Sequence, residues 1–139
     1  MSLLAELYLS KDDQEATKYD SQPELFKDRE QYSSFTELEL STLWAKMRGV
    51  DFDVNSVDGP RQIFVVDDGE RIIHRLPAAM TIDLAGLTPE QISTAAIKWA
   101  KTDELACEPS EVQPIIEGLV RLAKNASATK RNVYLWNCV

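Results

Sequence analysis

From Thr88 to Val139 the chain encodes two capped amphipathic helices followed by an apolar strand, and that order restricts the fold more than any other feature. Leu87-Thr88-Pro89-Glu90-Gln91-Ile92 is a complete helix start. Thr88 is the N-cap, Pro89 the first helical residue and Gln91 the closing member of a capping box, with Leu87 and Ile92 as the hydrophobic staple. Ile92, Ala95, Ala96, Trp99 and Ala100 recur at helical spacing and mark a buried face. Ser110-Glu111-Val112-Gln113 has the same box spacing and opens a second helix, in which Val112, Ile115, Ile116, Leu119 and Ala123 face inward. Pro114 then falls in its first turns, where the helix survives the loss of one ladder bond. Asn132–Val139 closes the pattern with no charge after Arg131, and Tyr134, Trp136 and Cys138 share one face. A strand of that character needs neighbours, so a sheet must be built elsewhere.

The first sheet element is Leu3–Leu9, with Leu3, Ala5, Leu7 and Leu9 on one face and Leu4, Glu6 and Tyr8 on the other. Because both strands are apolar on both faces, Asn132–Val139 is expected inside the sheet beside Leu3–Leu9. Ser10 is placed to cap a helix over Lys11–Tyr19. Ser21-Gln22-Pro23-Glu24 predicts a short surface helix through about Glu30, since only Leu25 and Phe26 are large and apolar there. Thr36 and Glu39 form a capping box, Phe35 and Leu40 the staple, and Leu40, Leu43, Trp44 and Met47 a core stripe that ends at Gly49. Gln62–Val66, Asp68-Gly69 and Arg71–Arg75 read as a β-hairpin. A short helix over Ala78–Ala85 stops at Gly86. The expected architecture is one α+β domain over 1–139. In it a small sheet of N-terminal strand, hairpin and C-terminal strand packs against several amphipathic helices.

Composition narrows the function. Three Trp and an apolar fraction of 44% argue for a packed core. Fifteen basic against 23 acidic residues give a net charge of −8. Lys124, Lys130 and Arg131 are the nearest approach to a basic stripe, so nucleic acid is not an expected partner. No apolar run reaches the roughly 18 residues of a membrane span, and a secretory signal is not expected. Two cysteines, Cys107 and Cys138, without a Cys-x-x-Cys motif, suit a reducing cytoplasm and exclude a zinc framework. Asp51, Asp53, Asn55 and Asp58 resemble a calcium loop, but Ser56 stands where the sixth-position glycine belongs and Gln62 where the twelfth-position glutamate belongs. That segment reads as a polar loop. No metal and no cofactor is expected, and none of the five glycines has phosphate-loop spacing.

His74 is the one histidine. In a strand it points to the opposite face from Ile73 and Arg75. Its ordinary reading is a partly buried or surface residue of the hairpin, because no nucleophile is evident for it to serve. Cys107 lies just before a helix start, but Glu104 and Glu108 oppose thiolate formation. Cys138 has no local activating feature. Glu6 is embedded among apolar residues and needs a partner, which Arg71 or Arg75 of the hairpin could supply. His74, Arg71, Arg75 and Glu6 are therefore the candidate site residues, with a structural ion pair as the first reading for Glu6.

The order of elements resembles the YfbM-like family of small uncharacterised bacterial proteins. The matching pieces are Leu38–Trp44, Leu87-Thr88-Pro89-Glu90 and Val133–Trp136. The resemblance implies an α+β fold and carries over no catalytic residue. Together these readings lead to a cytoplasmic, non-enzymatic protein-interaction or regulatory domain with a protein partner. An immunity-type inhibitor of a basic toxin is its specific form. The alternative is an enzyme whose site is assembled from distant residues around His74. The sequence sets no oligomeric state.

Overall fold

Strand β1 (Leu4–Ser10) is followed by residues that cannot hold a helix alone. The computed structural model describes residues 3–33, 35–52, 59–103 and 105–139. Asp12, not Ser10, is the N-cap of helix α1 (Asp13–Ala16), its carboxylate accepting from the Glu15 N–H at 2.8 Å. Ser10 is the last residue of β1, and its hydroxyl donates to Glu15. The helix expected over Lys11–Tyr19 tightens into a 3-10 turn at Thr17–Asp20. One turn of α-helix has too few bonds to propagate without packing.

The next segment departs further from expectation. Pro23–Leu25 forms a single 3-10 turn, and the chain then extends into β2 (Arg29–Ser33) instead of continuing as helix to Glu30. Pairing with β1 decides this, with Leu7 opposite Glu30 and Ala5 opposite Tyr32. Leu25 is 59% exposed, as a surface segment requires, but Phe26 turns inward and is buried.

Helix α2 (Glu37–Arg48) starts and stops where its signals stand. The Glu39 carboxylate accepts from the Thr36 N–H at 3.0 Å, and Gly49 ends the helix in the left-handed region at φ 68°. Strands β3 (Arg61–Val66) and β4 (Arg71–Arg75) form the expected hairpin, with a bulge between Gln62 and Phe64. Helix α3 (Ala78–Ala85) ends at Gly86. Helix α4 (Pro89–Ala100) carries the full capping box at Thr88 and Gln91. Helix α5 (Pro109–Thr129) begins earlier than the Ser110 box implied. Glu108 is its N-cap, Pro109 its first residue, and the Glu111 carboxylate accepts from the Glu108 N–H at 2.8 Å. Pro114 therefore lies deeper in the helix than a cap at Ser110 would place it. Strand β5 (Asn132–Cys138) follows. The polar loop read at Val50–Pro60 falls largely on 53–58, outside the described residues, as does Glu104.

The five strands lie in the order β2-β1-β5-β4-β3, all antiparallel. β5 is central and lies beside β1, as its apolar faces predicted. Helices α2 to α5 cover one face, where Leu7, Leu9, Val133 and Leu135 pack against Leu43, Met80, Trp99 and Ile116. The segment between β1 and β2 covers the other, where Tyr8, Ile73 and Tyr134 meet Ala16, Tyr19 and Phe26. The chain is a single small α+β domain. Among the described residues, no helix is long and apolar enough to cross a membrane.

Candidate functional site

Strand alternation in β4 separates the candidate residues before any tertiary contact does. Arg71, Ile73 and Arg75 stand opposite Cys138, Trp136 and Tyr134 of β5, while His74 stands opposite Leu135. Arg71 and Arg75 thus share the aromatic face, and Glu6, paired with Trp136, joins them there. His74 lies alone on the helix-covered face.

On the aromatic face each nominated charge is taken up by the segment between β1 and β2. Asp13 receives both Arg75 Nη1, at 3.1 and 3.0 Å, and the Tyr134 hydroxyl, at 2.7 Å. Asp20 receives Arg71 Nε at 2.8 Å and Trp136 Nε1 at 2.9 Å. Arg71 also reaches Asp67 at 2.8 Å. Glu6 pairs with neither arginine; it accepts from the Tyr19 hydroxyl. The Tyr8 hydroxyl donates to the Ala16 carbonyl at 2.7 Å, and its ring stacks on Tyr19 at 4.0 Å between centroids. Burial raises the Tyr8, Tyr19 and Tyr134 hydroxyls above their ordinary value. Hydrogen bonds to Glu6 and Asp13 add to this at Tyr19 and Tyr134. Such phenols stay protonated at neutral pH and serve as fixed donors. Asp13 and Asp20, which organise this face, carry no signal as isolated residues. Their spacing did hold one: with Ala16 they fall on one side of a helical turn, which aims acids at whatever the segment covers.

His74 is in a different situation. Its side chain is only 8% exposed, and its Nδ1 lies 4.0 Å from the Glu37 carboxylate and has no hydrogen-bond partner among the described residues. Burial lowers its proton affinity below the ordinary value, and Glu37 opposes that shift. Burial, then the Glu111 and Glu108 carboxylates, raise the Cys107 thiol, which suits an inert residue. Cys107 and Cys138 are free thiols.

The structure does not bring the four candidate residues together. Three surface depressions of ≈ 290, ≈ 360 and ≈ 350 Å³ contain none of them. The first is lined by Asp28 and Arg131, the second by Lys46, Lys98 and Lys101, the third by Met47, Ile82 and Leu87. Among the described residues no group of three His, Cys, Asp or Glu side chains is arranged to hold a metal ion. No family model, no curated protein and no solved structure matches this chain.

Proposed function

We propose that this chain is a non-enzymatic protein-interaction domain, in the manner of an immunity-type inhibitor that covers a basic surface on its target. One observation carries the reading. Arg71, Arg75 and Arg131 are partly buried and paired with Asp20, Asp13 and Asp28, and Arg121 is paired with Glu30 at the surface. Those pairs cancel one for one, so the net charge of −8 stays as an excess of carboxylates over the remaining cations, suited to steering a cationic partner. The test is to isolate the partner with this chain as bait and follow association by stopped flow at rising salt. The rate should fall about tenfold or more between low and physiological ionic strength. A rate indifferent to salt removes the proposal.

A second reading, an enzyme assembled around His74, is favoured by the buried, unpartnered Nδ1 beside Glu37. It requires that solvent-borne reactants reach the imidazole. Diethyl pyrocarbonate should then modify His74 in the folded protein, and complete protection would end this reading.

A further inference from the structure

The sheet has two edges, and they are finished differently. At β2 the chain is short and polar. Glu30 is tied to Arg121 of α5 at 3.0 Å, and Tyr32 lies so close over α5 that a Cβ at Gly118 would stand 2.0 Å from its hydroxyl. Charged residues and a covering helix are the usual protection of an edge. At β3 the run Ile63-Phe64-Val65-Val66 carries no charge, pairs among the described residues only with β4, and leaves Val65 48% exposed.

The charges around β3 say what fits it. Arg61 opens the strand, and Asp67 and Asp68 follow it. Among the described residues neither Arg61 nor Asp68 forms an ion pair, while Asp67 is held by Arg71. A strand that is positive at its start and negative just past its end complements itself when reversed. Two such edges can meet antiparallel only about a two-fold axis normal to the sheet, so residues that meet must lie on the same face. With the axis at Val65, Val65 meets its own copy and Phe64 meets Val66. The bulge then matters. It sets Phe64 against Ile73 but Gln62 against His74, leaving Ile63 as the extra residue. Across the axis it therefore shortens the reach from Arg61 to the second copy's turn at Asp67–Gly69, in which Asp68 stands exposed. A two-residue slip moves the axis into the bulge or into the turn at Asp67.

We infer that β3 is the edge at which two copies of this chain join antiparallel into one continuous sheet. The inference stands without the function proposed above. Sedimentation equilibrium of the full chain, taken up to about millimolar concentration, should show a monomer–dimer equilibrium. Arg61→Glu and Asp68→Lys should each weaken the dimer about tenfold or more, because each places like charges at both ends of the interface. An equimolar mixture of the two variants should dimerise again, since each end then holds one acid and one base. Unchanged circular dichroism would show that both variants fold. A wild-type chain that stays monomeric overturns the inference. So does a mixture no tighter than its components, or a dimer indifferent to both substitutions.

Discussion

The two faces of the sheet are covered by different means. On one, α2 to α5 interlock apolar side chains, and the largest, Trp99, is fully buried with its Nε1 donating to the Glu39 carbonyl at 2.8 Å. On the other, short 3-10 and α turns lie over an aromatic cluster and are fastened by Asp13 and Asp20. The contrast follows from length. Helices of 8 to 21 residues can offer a long apolar stripe, and burial is the main force that fixes them. A segment built from a four-residue helix and two short turns cannot, so directional bonds to the sheet hold it in place.

The largest break in this comparison removes the element that both faces share. Deleting residues 132–139 takes out β5, the partner of both β1 and β4. It should abolish cooperative folding, checked by circular dichroism and solubility. A truncated chain with an unchanged melting temperature would show that each face sustains the sheet alone.

Next in size, Trp99→Ala should destabilise the fold by about 3–5 kcal/mol in urea titration. It opens a cavity and leaves the Glu39 carbonyl without that donor. By contrast, Asp13→Ala with Asp20→Ala should lower global stability less, by roughly 1–3 kcal/mol, because its ion pairs are partly exposed while Tyr134 and Trp136 each lose an acceptor. Its main readout is local. Amide exchange over Lys11–Asp28 should accelerate while α4 and α5 stay protected. A loss equal to that of Trp99→Ala would mean that the two faces are not energetically separable.

The smallest effect is a pH slope from the helix-covered face. Burial keeps the folded-state pKa of His74 below its ordinary value of about 6.5. As pH falls, the unfolded chain takes up that proton first. The stabilisation is therefore complete above about pH 6.5 and is lost below it, until the folded value is reached. The slope from this one group cannot exceed about 1.4 kcal/mol per pH unit. His74→Leu should flatten the difference in urea midpoint between about pH 7.5 and about pH 5.5. An unaltered difference would place the titrating group elsewhere.

The helix-covered face was the legible one. Capping boxes at Thr36 and Thr88 are local and self-contained, and the stripes that follow them point to the same core. The cap of α5 was misplaced because Ser110 satisfies the usual preference, whereas Pro109, as first residue, selects Glu108. β2 was unreadable for a deeper reason. Arg-Glu-Gln-Tyr-Ser has no apolar alternation, and only its pairing with β1 makes it a strand. The candidate charges were found, but their partners were not. Arg71 and Asp20 lie 51 residues apart, and Arg75 and Asp13 lie 62 apart. No local pattern joins them, so Glu6 stood as the nearest acid in a strand while the tertiary fold assigned it to Tyr19.

The central place of β5 also sets an order on how the molecule is made. During synthesis the β1–β2 pair and the β3–β4 hairpin emerge well before Asn132–Cys138, and nothing in the finished sheet joins them directly. Until that strand leaves the ribosome, the nascent chain holds two half-sheets whose inner edges, β1 and β4, are unpaired. Those edges are the surfaces most prone to pair with a neighbouring nascent chain. Final assembly must also wait for the most distant contact in the sequence, Leu4 against Cys138, which makes closure of the sheet a late and slow step. Shielding of β1 and β4 until β5 has emerged would prevent such pairing.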